Sequence, residues 1–182
     1  MAVRDRQGMR ILEFDLSTEL NHGICVSNLA YDVGQELKLS QEECYQLAIA
    51  GMLHDIGKLR LTGYINGDEQ DPLLIEELKY VRMHSTLGYE ELKEQGYSQF
   101  VLDSVLYHHE NYDGSGYPAN LAGEEIPIGA RVLRVCDVFC ALTSDRPYRK
   151  AFETETAIEL MIEEVKNFDM KVFIAFQRAV HK

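Results

Sequence analysis

Tryptophan is absent from the 182 residues, and basic side chains are scarce: 18 Lys and Arg stand against 30 Asp and Glu, a formal net charge of −12. A chain this acidic is poorly suited to tracking a nucleic acid backbone, which excludes polymeric nucleic acid as the expected partner. No apolar run approaches the roughly 18 residues that a membrane-spanning helix needs. Residues 1–10 carry charges where a secretory signal needs an apolar core, so no membrane contact and a cytoplasmic location are expected. The four cysteines, Cys25, Cys44, Cys136 and Cys140, include no CxxC pair. In a reducing compartment they are expected to be small core residues and not disulfides. Strand-like alternation, internal repeats and low-complexity linkers are missing too. What remains is an apolar share of 46%, ordinary for a globular protein, in a length suited to one domain with a sizeable core.

The apolar residues recur at helical spacing. His22, Val26, Leu29, Val33 and Leu37 share one stripe over 18–37, which puts His22 on the apolar face of its helix. Ser40 followed by Glu43 reads as a capping box, opening a helix from about 41 through Leu47, Ala50 and Leu53 to the neighbourhood of Gly57. His54 and Asp55 then fall in its last turn, about 100° apart. Residues 61–70 are polar and read as a loop, and Asp71-Pro72 as an N-cap with proline at the first helical position. Further helices are expected over 73–83, 86–95 (stopped by Gly96), 99–109, 127–143, 155–166 and 170–181. The 127–143 segment is apolar nearly all round and should be buried. The expected fold is therefore all-α, a single helical bundle of seven or eight helices over 17–182. Residues 1–16 would be an extension, either a linker or an extra helix.

Chemistry concentrates in two clusters. His108-His109-Glu110-Asn111-Tyr112-Asp113-Gly114-Ser115-Gly116-Tyr117-Pro118 sets two imidazoles beside a glycine-rich turn. His54-Asp55-Ile56-Gly57-Lys58 adds a nitrogen ligand, a carboxylate and a cation. Imidazole is the commonest nitrogen ligand for transition metals. A lone histidine on an apolar face is more often a satisfied core residue, but here four of the six histidines lie in or between the two clusters. His181, at the far end, lies outside both and is expected to take no part.

His54-Asp55 resembles the signature of the HD phosphohydrolase superfamily. Together with HHENYDGSGYP (108–118) and RVLRVCDVFCALTSDRPYR (131–149), it makes the chain similar to the HD-GYP subfamily. These are metal-dependent phosphodiesterases acting on cyclic di-GMP, and the likeness runs from about His22 to Phe176. The resemblance implies a helical HD domain that hydrolyses cyclic di-GMP to linear pGpG, on to GMP, or both, through a dinuclear centre. It implies seven metal ligands: His22, His54, Asp55, His84, His108, His109 and Asp137. One ion would take His22, His54 and Asp137, the other His84, His108 and His109, with Asp55 bridging. Asp55 and Lys58 would be catalytic. Lys58, Asp113, Gly116, Tyr117, Arg146 and Arg149 would bind substrate, Tyr117 by stacking on guanine or bonding its phosphate. The two arginines would do so through forks that match phosphate geometry.

A nitrogen-rich ligand set with few carboxylates suits two divalent transition-metal ions. Iron or manganese is expected first; nickel, cobalt or zinc is compatible and magnesium disfavoured. Two such ions add about +4 at the site, which offsets the acidity of the chain where an anionic cyclic dinucleotide must sit. A signalling-protein partner or a homodimer is compatible with the same reading. The chain also departs from the subfamily. Cys140 stands where Asp is common, and a thiol cannot reproduce a carboxylate's charge or hydrogen bonds. Thr18 stands where members with a third metal carry Glu, with Glu19 next to it. Residues 59–71 lack the Ile-Pro opening expected after HDIGK. Two other readings stay open: an HD phosphohydrolase for another nucleotide, and a catalytically impaired metal-containing module that binds a dinucleotide.

Overall fold

A computed structural model describes residues 2–4, 10–12, 16–61, 81–145 and 149–182. Strands β1 (Ala2–Arg4) and β2 (Arg10–Leu12) pair antiparallel, with Val3 opposite Ile11. Neither the linker nor the extra helix expected over 1–16 accounts for this pair, and strands of three residues are too short to show an alternating pattern. The rest of the regular structure among the described residues is helical: α1 (Leu16–Glu36), α2 (Gln41–Leu53), α3 (Lys58–Leu61), α4 (His84–Glu94), α5 (Gln99–Tyr107), α6 (Ile128–Leu142), α7 (Thr154–Glu163) and α8 (Met170–Val180), with 3-10 turns at Gly123–Glu125 and Val165–Asn167.

α1 and α2 form an antiparallel hairpin. Lys38 adopts φ 59° at its turn, and the Ser40–Glu43 capping box opens α2 as its sequence predicts. Small residues let the two helices approach: Gly34 lies against Cys44 and Leu47, and a Cβ on Gly51 would sit 2.9 Å from the Ser27 backbone. The stripe on α1 turns inward, with Val26 and Val33 fully buried and His22 only 5% exposed.

α6 is the central element, packed against α1, α2, α5, α7 and α8. Val132, Leu133, Val135, Cys136 and Cys140 on it are fully buried, in line with its apolar composition. Arg131 pairs with the buried Asp169 at 2.7 Å, and so ties α6 to the N-cap of α8. Cys140 is also paired as a disulfide with Cys25 of α1, across 115 residues of sequence. This corrects the expectation of unpaired thiols at both positions. Helix packing alone brings the two Cα atoms to 6.1 Å, within bridging range, and spacing along the chain carries no sign of that. Cys44 and Cys136 are buried free thiols.

Two boundaries differ from the sequence expectation in ways that matter to the site. α2 stops at Leu53, with His54 as its C-cap. From there the backbone tightens to i→i−3 bonds: Ile56 N donates to Leu53 O, Lys58 N to Asp55 O and Arg60 N to Gly57 O. α4 begins at His84, two residues earlier than its apolar pattern marks. Of the loop expected at 61–70, Leu61 instead closes α3; residues 62–70, the Asp71-Pro72 helix start and Arg146 lie outside the described residues.

Candidate metal centre

Five helical elements converge on one point. α1 supplies His22, the end of α2 His54 and Asp55, the first turn of α4 His84, the end of α5 His108 and His109, and α6 Asp137. His22, His54, His84 and His108 are each 5% exposed or less. Their ligating atoms fall into two triads, His22–His54–Asp55 and His84–His108–His109, each mutually within 4.8 Å. Asp137 joins the first triad, with Oδ1 2.9 Å from His22 Nε2 and 3.7 Å from His54 Nε2. Asp55 spans the two: its Oδ2 is 3.2 Å from His54 Nε2 and its Oδ1 3.3 Å from His84 Nε2.

The tautomers follow from the backbone. Nδ1 of His54, His84 and His108 lies 2.5–2.8 Å from the carbonyls of Gly51, Val81 and Val105. A carbonyl only accepts, so each Nδ1 carries a proton and each Nε2 points inward, as a lone pair at the neutral His84 and His108. His84 and His108 Nε2 then face each other at 3.3 Å with no proton to share, and His109 Nε2 is 3.1 Å from His84 Nε2. Nδ1 of His22 and Nε2 of His54 are buried without a hydrogen-bond partner of good geometry. Converging nitrogens in a buried site, flanked by carboxylates, are the environment that divalent cations satisfy. The residues present fit such ions and could hold two.

Charge is arranged the same way. Burial, reinforced by the neighbouring histidines, holds His108 well below the ordinary imidazole range and brings His109 down to about 3, partly offset there by Asp137. Burial also lowers His84, against the pull of Asp55. This triad stays neutral and ready to ligate. At His54 burial opposes protonation, but Asp55 and Asp137 outweigh it and raise the pKa well above its usual value. Burial would raise Asp55 and Asp137 likewise, yet the surrounding histidines, and Lys58 at Asp55, hold both carboxyls well below their usual range. Lys58 Nζ donates to Asp55 Oδ2 at 2.6 Å and to Glu19 Oε2 at 3.2 Å. Burial disfavours its charge, but those two carboxylates keep the ammonium protonated. Glu19 is thus engaged with Lys58.

The glycine-rich loop is folded against the histidine pair. A Cβ on Gly116 would overlap the backbone of Asn111, Glu110 and His109, which explains a glycine there. Tyr117 N donates to His109 O at 3.2 Å, and the Tyr117 ring stacks on His109 at 4.8 Å. Burial pushes the Tyr117 phenol up, so its hydroxyl keeps a proton to donate. The buried Glu110 accepts from Ala119 N at 2.6 Å, pinning the far side of the loop.

Two other expected substrate residues are placed elsewhere. Asp113 Oδ1 accepts from Ser115 N and Oγ at 3.0 and 2.6 Å, a turn contact. Arg149 donates to the carbonyls of Ala141, Leu142 and Lys150 at 2.8–2.9 Å, with its guanidinium 4.4 Å from the Phe152 ring. It caps the C-terminal end of α6, where unpaired carbonyls and the dipole favour a cation. His181 caps the end of α8. Sequence inspection missed Arg82, whose guanidinium is 5.2 Å over the Tyr117 ring, and Arg134, which bonds Asn111 at 3.0 Å. The available signal for Arg134 was its position one turn before Asp137 on a helix whose only other charged residue is Arg131.

Comparison with known proteins is consistent with this arrangement. The HD domain family matches residues 6–172. Over 163 residues the chain is 40% identical to a cyclic di-GMP phosphodiesterase of Pseudomonas aeruginosa, covering 87% of this chain and 38% of that protein. Over 156 residues it is 34% identical to a 3'3'-cGAMP-specific phosphodiesterase of Vibrio cholerae, covering 84% and 36%. The chain therefore spans less than two-fifths of the length of these curated relatives. Among solved structures, an HD-GYP-type protein of Bdellovibrio bacteriovorus superposes with a TM-score of 0.72 at 20% identity, covering 94% of this chain and 55% of that one.

Proposed function

The chain belongs to the HD-domain family, in its HD-GYP branch, and from that premise we propose that it is a metal-dependent phosphodiesterase that opens cyclic dinucleotides, cyclic di-GMP first among them. The observation that carries the reading is Asp55, one carboxylate oxygen facing each histidine triad. Two divalent transition-metal ions, iron or manganese first, would be held by His22, His54 and Asp137 on one side and His84, His108 and His109 on the other, with Asp55 between. Such ions, when bound, lower the pKa of a coordinated water and neutralise phosphoryl charge.

The remaining work falls to this chain's own side chains. The backbone carbonyls of Gly51, Val81 and Val105 keep the protons of His54, His84 and His108 on Nδ1 and aim their Nε2 atoms inward. Lys58, held by Asp55 and Glu19, brings a fixed positive charge to the pentacoordinate phosphorus, where charge accumulates in the transition state. As the water oxygen bonds to phosphorus and the P–O3′ bond breaks, the water gives up one proton and the leaving O3′ takes one up, so addition of one water releases linear pGpG. Tyr117, fixed against His109, offers its hydroxyl to a phosphate oxygen or its ring to a guanine. Gly116 permits the close turn that puts it there.

We place the catalytic unit at 17–182 and the protein in the cytoplasm; no described helix is long and apolar enough to cross a membrane. A signalling protein or a second copy of the chain fits as partner. The similarity to a 3'3'-cGAMP-specific phosphodiesterase supports the mixed cyclic dinucleotide as an alternative substrate. The test is turnover of cyclic di-GMP, 3'3'-cGAMP and cyclic di-AMP by anaerobically purified, metal-loaded protein. Release of pGpG from cyclic di-GMP is expected. Preference for 3'3'-cGAMP would redirect the substrate, and no turnover by fully loaded protein would favour a binding module.

A further inference from the structure

Building on the phosphodiesterase reading, we propose that Arg134, assisted by Arg82, binds the second phosphodiester of the cyclic dinucleotide, the one that does not react. Arg134 lies three residues before Asp137 on α6, so both side chains leave the same face of the helix. Its Nε donates to Asn111 Oδ1 at 3.0 Å. Asn111 Nδ2 in turn donates to Ser115 Oγ at 3.0 Å, and Ser115 Oγ to Asp113 Oδ1 at 2.6 Å. A string of hydrogen bonds thus runs from the carboxylate of Asp113 to the guanidinium, and the glycine-rich turn becomes a mount for Arg134. Anchoring through Nε, with the guanidinium 6.0 Å over the Phe168 ring, orients the plane and leaves Nη1 and Nη2. Among the described residues no hydrogen bond or ion pair reaches either. Two parallel N–H groups are the fork that fits two phosphate oxygens.

The position suits the ligand. Arg134 is held by Asn111, two residues after His109, and Arg82, two residues before His84, brings a second guanidinium to 5.2 Å over the Tyr117 ring. These cations border the histidine cluster without belonging to it. A cyclic dinucleotide carries two phosphodiester anions, and metal ions at the cluster neutralise only the reacting one. In a chain of net charge −12, the other needs a local cation, and the fork of Arg149 is engaged by the carbonyls of α6.

The test uses metal-loaded full chain carrying Arg134→Gln or Arg134→Lys. The substrates are cyclic di-GMP and bis(p-nitrophenyl) phosphate, which has a single phosphodiester, with cyclic di-AMP as a competing ligand. A lost charged hydrogen bond corresponds to a factor of about 10–100. Arg134→Gln is expected to raise KM for cyclic di-GMP and Ki for cyclic di-AMP at least about tenfold, with kcat, metal content and hydrolysis of the small diester unchanged. Arg134→Lys should recover part of the loss, and Ser115→Ala should weaken both nucleotides by a smaller factor. Equal loss on the small diester, or loss of metal, would overturn the proposal in favour of a structural role. A loss confined to cyclic di-GMP would overturn it in favour of guanine readout, since an arginine fork also fits O6 and N7. If loaded parent cleaves the small diester but no cyclic dinucleotide, the catalytic reading fails separately, and calorimetric binding of cyclic di-GMP decides. Binding lost in Arg134→Gln sustains the subsite; equal binding, or none by the parent, overturns it.

Discussion

Replacing Gly57 with alanine would place a Cβ 2.6 Å from Gly88 N and 2.9 Å from the His84 carbonyl carbon, and nearer still to the His84 oxygen. All are backbone atoms of α4, so no side-chain rotation relieves the overlap. The first turn of α4 must retreat by roughly 1 Å to restore ordinary van der Waals separation. His84 is the first residue of that turn, with Nε2 3.3 Å from His108 Nε2 and 3.1 Å from His109 Nε2. Metal–ligand distances tolerate only about ±0.2 Å, so the displacement should cost the ion held by His84, His108 and His109 while leaving the other half of the site loaded. Overpacking of this kind destabilises by about 1–3 kcal/mol, which is a fall in Tm of roughly 2–10 °C for a chain of this size. Metal per chain, measured by plasma spectrometry on anaerobically purified protein beside a thermal melt, should drop from two ions to one, with turnover lost. Gly96→Ala is the control. It also strains a left-handed position, φ 78°, but nothing lies within 4 Å, so it should cost about 1–2 kcal/mol and no metal. A folded Gly57→Ala variant with full metal content and parental turnover would refute the link between the HDIGK glycine and the second half of the site.

Further outcomes follow from single contacts. Arg149→Ala should lower stability by about 1–3 kcal/mol, because half-buried carbonyls at the end of α6 lose their donors, and chemical denaturation should detect this; unchanged stability with a raised KM would return Arg149 to substrate binding. Reducing the Cys25–Cys140 bond, or replacing Cys25 with Ser, opens a loop of 115 residues and should cost up to about 5 kcal/mol by loop-closure entropy; thiol titration showing four free cysteines in the untreated folded chain would contradict the pairing. For metal-free protein, stability should fall as pH drops below the usual imidazole value of 6.5. His84, His108 and His109 hold lowered pKa values, so the unfolded chain binds protons that the folded chain refuses, down to about 3 for His109. His54, with its raised pKa, acts in the opposite sense but is one group against three. Denaturation midpoints from pH 7.5 to 4.5 would show this, and a flat profile would contradict it.

The parts of the site most legible in the sequence are those whose chemistry and position coincide in a short motif. His54 and Asp55 are adjacent, as are His108 and His109, and the helical stripe on α1 is enough to turn His22 inward. The helical character of the chain and the capping box of α2 are legible for the same reason, being local. Relations that depend on packing were not. Cys25 and Cys140 are 115 residues apart and meet only because α1 lies on α6. Arg149 and Arg134 are both arginines of the 131–149 motif, and nothing in their residue type tells that one caps a helix while the other keeps two donors unengaged. The tightening to i→i−3 bonds after Leu53, where Lys58 N donates to Asp55 O, is a change too short for periodicity to register. The N-terminal strand pair escapes notice at three residues a strand.

A dinuclear phosphodiesterase is tested most directly by metal content and cyclic di-GMP hydrolysis determined on the same anaerobically purified sample, beside Asp55→Ala. Two ions per chain, release of linear pGpG, and loss of both at least one ion and turnover in Asp55→Ala are the predicted result. Folded parent that binds no transition metal, or that carries two ions and leaves every cyclic dinucleotide intact, would contradict it.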